Sequence, residues 1–300
     1  MVTVIGSSND SVDQGIRLVQ GDAARIDFGL SGADYLQLAR DTRQLTVAET
    51  SEHVQDGLVD SRELESARLM RVASEVVDFA LVATRLERLV YLSSLAVFGD
   101  TRGAIIETDF DRGQSFSRRS DELLAVSEKQ IHRLSSAVPR AIVRIANLVG
   151  HERTGEILPS AELGRLAKFA VAAPRECEFS FADRPLHFET IERATEALVR
   201  VQPSATGVAL HIIDDEPWTD RQVITWMFDR LHKSIIDVPR STASVGQLFR
   251  AATIQSGRVR TAQAEFQRSE ALKQLGHLLT RDIAGTLERL FGATAVKETF

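Results

Sequence analysis

Short runs of β-branched and apolar residues alternate along the chain with stretches whose apolar positions recur every three to four residues. This alternation predicts a parallel sheet covered by helices. A strand buried on both faces reads as a continuous apolar run, while a covering helix is apolar along one stripe. The runs VTVIG (2–6), IRLVQGD (16–22), RLVYLSS (88–94) and AIVRIANLVG (141–150) predict strands. Between them, SGADYLQLARDT (31–42) predicts a helix capped by Ser31 with Leu36 and Leu38 facing inward, and residues 61–84 predict a longer one. After Gly150 the pattern changes. EFSFA (178–182) and VALHII (208–213) predict strands, and ETIERATEALVRV (189–201) and TDRQVITWMFDRLH (219–232) predict helices, the second capped by Thr219. Residues 240–264 carry the weakest pattern, and 269–291 predict an amphipathic helix. The expected organisation is a doubly wound α/β core over 1–150 and a smaller α/β lobe over 151–300 packed on it.

Composition narrows the function classes. At 43% hydrophobic and 26% charged, the chain of 300 residues is globular. Its net charge of −6 argues against nucleic acid or an anionic membrane as a partner. The single Cys177 excludes an internal disulfide framework and a Cys-rich metal site. The seven histidines show no metal-ligand spacing, so no metal is expected. No apolar run reaches the roughly 18 residues of a membrane span, and no basic-then-apolar leader opens the sequence, so a cytoplasmic protein is expected.

Five segments then recur in a familiar order. They are Gly21-Asp22 ending a strand, Gly29-Leu30-Ser31 opening a helix, and YLSSLAVFGD with Ser94 five residues before Gly99. Glu107, Asp109 and GQSF (113–116) precede another helix, and a strand carrying Arg144, Asn147, Val149 and Gly150 follows. With the later segments LHFETIERATEALV (186–199) and GVALHIIDDEPWTD (207–220), this set resembles, across roughly residues 16 to 230, the extended short-chain dehydrogenase/reductases, in particular the thioester-reductase and male-sterility branch. The resemblance implies a Rossmann-like fold, hydride transfer with a nicotinamide cofactor, and Asp22 and Asn147 as candidate cofactor-binding residues. It also implies a catalytic tyrosine four residues after the Phe of GQSF, a lysine four beyond it, a Ser or Thr on the preceding strand, and a two-helix dimer face.

Most of those catalytic positions carry other residues here. Counting from Phe116 puts Ser120 at the tyrosine position and Leu124 at the lysine position, with Glu128 confirming the register. A serine hydroxyl is a far weaker acid than a phenol, and leucine neither lowers a pKa nor holds a ribose. Lys129 lies five residues past Leu124, about 140° around the helix. Tyr35 sits on an early helix, and Tyr91, an odd number of residues before Ser94, faces the other side of the sheet. The family's relay asparagine falls on Met70, so Ser94 alone of four catalytic positions survives.

The Gly-rich phosphate turn is also absent, since Gly6 and Gly15 are nine apart with no Gly triplet. Two placements of VTVIG stay open. It is the family's second strand, with the unit before it outside this sequence, or it takes the central position and the intervening unit has shrunk to the loop SSNDSVDQ. Glu49, in TVAE, would repel a pyrophosphate. The resulting expectation is a protein without a cofactor, with NAD(P) bound only if a Gly-rich segment precedes Met1. Asp214, Asp215 and Glu216 read as a solvated loop, and Arg118 and Arg119 as surface residues ahead of the old catalytic helix. The arginines between 238 and 268 form a positive strip that would suit an acidic partner such as an acyl carrier protein. Three functions follow: a catalytically silent binding, regulatory or assembly module; a reductase or epimerase working around Ser94; and a sensor of a nucleotide or acyl ligand.

Overall fold

The computed structural model describes residues 2–6, 16–48, 59–116, 118–134, 138–151, 166, 169–181, 185–204, 207–213, 217–238 and 264–266. The chain divides into two compact units. One comprises Met1–Ser93, Arg119–Val143 and Val201–Ala209, the other Ser94–Arg118, Arg144–Arg200 and Leu210–Phe300.

In the first unit, β1 (Val2–Gly6) pairs in parallel with β2 (Ile16–Gln20), Val2 facing Ile16 and Gly6 facing Gln20. β3 (Gln44–Val47) pairs in parallel with β4 (Arg88–Ser94), forming the edge of a four-stranded sheet. That sheet runs β11-β6-β4-β3, with β6 at Arg140–Ile145 and β11 at Val208–Ile212. The β1–β2 pair is a separate sheet among the described residues. VTVIG is thus the neighbour of IRLVQ, and among the described residues it forms no ladder with β3. The mixed α/β architecture with parallel strands is the one that the apolar pattern predicts.

The helices of this unit follow their caps. Ser31 accepts from Asp34 N (3.2 Å) and starts α1 (Gly32–Asp41). The inward face of α1 is Tyr35 and Ala39; Leu36, expected inside, is 48% exposed. The aromatic ring of Tyr35 sets that rotation, because it fills the space between Phe28 and Phe79 at centroid distances of 5.7 and 5.5 Å. α2 (Val59–Val82) buries Leu69, Val72, Val76 and Phe79 and packs on α3 (Arg119–His132). Strand β2 ends at Gln20, earlier than the apolar run implies, because the chain folds back on itself at Gly21. A Cβ there would stand 2.7 Å from the Phe28 carbonyl oxygen.

The second unit has its own core of Val149, Phe179, Phe188, Val223, Met227 and Phe228. β8 (Glu176–Phe179) pairs in parallel with β13 (Ser234–Asp237). The run 141–150 is broken at Ala146, since β7 (Asn147–Leu148) leaves the main sheet to pair with β10 (Phe188–Glu189). α4 (Ile191–Arg200) and α5 (Asp220–Arg230) match the two helices read from the pattern. Thr219 caps α5 in a reciprocal box with Gln222, satisfying two otherwise unpaired backbone donors. The anticipated helix 269–291, the acidic residues 214–216, Glu49 and the loop SSNDSVDQ lie outside the described residues.

Candidate functional site

Helix α3 carries the two positions counted from GQSF, Ser120 and Leu124. Asp121 and Glu122 occupy its first turn and favour the positive end of the helix dipole. Leu123, Leu124, Ser127, Glu128 and Ile131 are buried, Leu124 at 9% exposure. Leu124 is therefore core filling. Ser120 lies half-buried in the first turn, its hydroxyl 3.5 Å from Asp121 Oδ1. Two turns along the same face, Glu128 accepts a 2.6 Å hydrogen bond from the Ser93 hydroxyl, both groups being buried. Glu128 thus ties the helix to the end of β4. The other phenols offer no substitute. Tyr91 is buried at 1%, and burial among acidic neighbours Asp27, Glu75 and Asp78 pushes the Tyr35 phenol up to about 12.

A different part of the same unit keeps polar chemistry. After β2 the chain turns through Asp22 and a short 3₁₀ segment, Ile26–Gly29. Asp27, Phe28 and Gly29 all have left-handed backbones, with φ of 54°, 56° and 71°. For the two non-glycine residues this costs about 1–2 kcal/mol each, so the surroundings must hold it. They do so at three points. Phe28 is 2% exposed against Phe79 and Tyr35, its carbonyl accepts from Asp22 N (2.8 Å), and Asp27 N donates to Glu75 Oε2 on α2 (3.0 Å). The Asp22 carboxylate accepts from Ala24 N (3.0 Å) and Arg68 Nη1 (2.6 Å) through Oδ1 alone. Burial works to raise its pKa, but the Ala24 amide and the Arg68 and Arg25 charges outweigh it and hold the group below the ordinary carboxylate value. Asp22 stays ionised, half-exposed, with Oδ2 making no bond to a described residue.

In the second unit, Ser94 caps the 3₁₀ turn Leu95–Phe98, its oxygen accepting from Ala96 N (3.2 Å). That use leaves the hydroxyl proton available for donation. Gly99 adopts φ 52°, and a Cβ there would come within 2.1 Å of the Ser115 carbonyl oxygen. The GQSF segment is pinned at that crossing: Gln114 Nε2 donates to Val97 O (3.0 Å), and Ser115 N donates to Asp100 Oδ1 (2.8 Å). Asn147 donates to His187 O (3.2 Å), joining β7 to β10. Arg144, fully buried, lies between the rings of Phe98 and Phe110 at 4.7 and 4.6 Å. It donates to the carbonyls of Glu107 (3.0 Å) and Asp109 (2.7 Å), while Glu107 Oε1 accepts from His211 N (2.9 Å). Glu107 and Arg144 together hold the segment ahead of GQSF.

Of the anticipated site residues, Asp22, Ser120 and Leu124 thus belong to one unit, and Ser94 and Asn147 to the other. Glu75 and the strained turn were missed, because nothing in the letters marks Phe28 as a residue with positive φ. No group of three or more His, Cys, Asp or Glu among the described residues is placed to hold a metal ion. No helix among them is long and apolar enough to cross a membrane.

No protein-family model matches the sequence, and no curated protein matches it either. Solved structures match along nearly its whole length. The terminal R domain of the myxalamid PKS-NRPS biosynthetic pathway aligns with a TM-score of 0.65 at 16% identity, over 94% of this chain and 75% of that one. MoeE5, solved with UDP-glucose and NAD, aligns at 0.67 and 14% identity over 99% and 91%. The fold is that of the extended short-chain dehydrogenase/reductases. The UDP-glucuronic acid 4-epimerase of Bacillus cereus, solved with NAD, gives 0.63 at 15% identity over 96% and 81%. These neighbours correct the expectation of a protein without a cofactor, since the fold shared over 96–99% of this chain holds NAD in them.

The residues present fit such a group unevenly. An ionised carboxylate with a spare oxygen, just past the carboxyl end of a parallel strand, suits a nucleoside amine or hydroxyl. Leu124 supplies nothing to hold a nicotinamide ribose.

Proposed function

We propose that this chain is a nicotinamide dinucleotide-binding protein of the reductase and epimerase type that works without the tyrosine–lysine proton transfer, as a binding or regulatory module. The observation that carries the reading is the contrast within one unit. Asp22 remains an available carboxylate, while the tyrosine and lysine positions hold a serine and a buried leucine. The adenosine end of the ligand is bound through Asp22. When bound, the dinucleotide would supply a hydride acceptor or donor, but the serine and leucine at the tyrosine and lysine positions of α3 move no proton to match it.

Calorimetric titration with NAD+, NADH and NADPH tests this. Binding of at least one, weakened about tenfold by Asp22→Ala, is expected, which corresponds to about 1.4 kcal/mol. Failure of all three to bind would sink the reading. A second reading is a reductase or epimerase acting through Ser94, whose hydroxyl keeps its proton while its oxygen caps the following turn. Turnover of an aldehyde or thioester that Ser94→Ala abolishes would establish it, and an acyl carrier protein is the partner class to try there.

A further inference from the structure

A left-handed phenylalanine beside a left-handed aspartate is an outlier that structure elsewhere must hold in place, and such outliers gather where geometry matters. Here the consequence of the strain is local and visible. With Asp27, Phe28 and Gly29 wound to the left, the Phe28 carbonyl turns back over Gly21 and accepts the Asp22 amide at 2.8 Å. That bond, with Arg25 N donating to Asp22 O (2.9 Å), fixes the backbone of Asp22 and so the direction in which its carboxylate leaves the chain. The ring of Phe28 anchors the turn from below. From the side, Glu75 Oε2 on α2 holds it, taking the Asp27 amide at 3.0 Å.

Glu75 sits at some cost in solvation. Burial raises its pKa, and the charges of Asp78 and Asp27 raise it further, against the lowering by the Asp27 amide bond. A half-buried carboxylate beside two other acids is a poor choice for packing alone. It is a good choice for gripping one amide.

We propose that Glu75 is a positioning residue of the nucleotide site, holding the strained turn 27–29 so that the Asp22 carboxylate presents Oδ2 to an adenosine amine or hydroxyl. This rests on the nucleotide-binding reading above. Glu75 does not touch the ligand. It acts through the Asp27 amide, the Phe28 carbonyl and the Asp22 backbone in sequence.

The test compares wild type, Glu75→Ala, Glu75→Gln, Asp22→Ala and the double variant Asp22→Ala/Glu75→Ala, by calorimetry with NAD+ and by hydrogen exchange of the ligand-free protein. Glu75→Ala is expected to weaken NAD+ about tenfold and to speed exchange at the Asp22 and Asp27 amides by a similar factor. Glu75→Gln keeps an acceptor oxygen and should stay within about threefold of wild type in both. In the Asp22→Ala background, losing Glu75 should cost no further affinity. Unchanged exchange in Glu75→Ala, or an independent affinity loss in the double variant, would overturn the proposal. If Glu75→Ala folds poorly, Glu75→Asp withdraws the oxygen by one methylene and is judged by the same two outcomes. Absence of NAD+ binding in wild type would refute the nucleotide reading and this site role together, while exchange at the two amides still shows whether Glu75 holds the turn.

Discussion

Helix α3 and the turn after β2 lie in the same unit and have gone opposite ways. On α3 the positions that would carry proton chemistry are packed. Leu124 is buried beside Leu123, and the buried acid Glu128 accepts from Ser93. At the turn, backbone strain and a half-buried glutamate are kept to present one carboxylate. The two regions therefore differ in kind: one face is packed and dry, and the other holds a strained backbone around a half-exposed carboxylate.

The sharpest way to break that comparison is to put the lysine back. Leu124→Lys should destabilise the protein by about 3–5 kcal/mol, because it buries an ammonium with no partner. Urea unfolding measures it, and an unchanged midpoint would mean that this face of α3 is still a solvated cleft. Leu124→Ala should cost about 2–4 kcal/mol through the cavity it leaves. Ser93→Ala, which removes the donor from a buried carboxylate, should cost about 1–3 kcal/mol. Asp22→Asn, by contrast, should change stability by no more than about 1 kcal/mol, since its ion pair with Arg68 is more than a third exposed on both sides. Its effect should appear in nucleotide affinity instead.

The smallest effects concern pH and separate the two acids of the turn. Asp22 is lowered below 3.8, so its stabilisation is present above that value and lost as pH falls through the lower folded value. Glu75 is raised above 4.5, so its contribution is largest below that value and declines as pH rises through the higher folded value. Urea midpoints followed across the acid range should therefore lose part of their acid fall in Asp22→Asn. They should lose part of their decline above pH 4.5 in Glu75→Gln. Profiles that coincide with wild type in both variants would remove the electrostatic basis for distinguishing them.

Much of the fold was legible because its strands are continuous apolar runs and its helices carry visible caps. RLVYLSS is the strand Arg88–Ser94 to the residue, and Ser31 and Thr219 cap as their letters suggest. The short strands β3 and β13 were not marked out, since four residues of mixed polarity set no period. At the site, Ser120 and Leu124 could be placed by counting from GQSF, and burial of Leu124 agrees with packing. The motif itself was legible only as a signature. Its structural work is to pin the crossing at Gly99, with Gln114 on Val97 and Ser115 on Asp100. The turn at 27–29 was invisible, because its conformation is set by Phe79, Tyr35 and Glu75 far along the chain. The expectation of no cofactor erred by weighing the missing Gly-rich turn and tyrosine–lysine pair as one loss, whereas neighbours that share the fold over nearly the whole chain hold NAD.

The central claim is that this chain binds a nicotinamide dinucleotide without turning it over through Ser120 and Leu124. Titration of wild type with NADH and NADPH, in the same cell with an aldehyde or thioester present, tests it most directly. The account predicts saturable binding, an affinity reduced about tenfold by Asp22→Ala, and no oxidation of the nicotinamide at 340 nm. Nucleotide oxidation that depends on Ser94, or no binding in wild type, would contradict it.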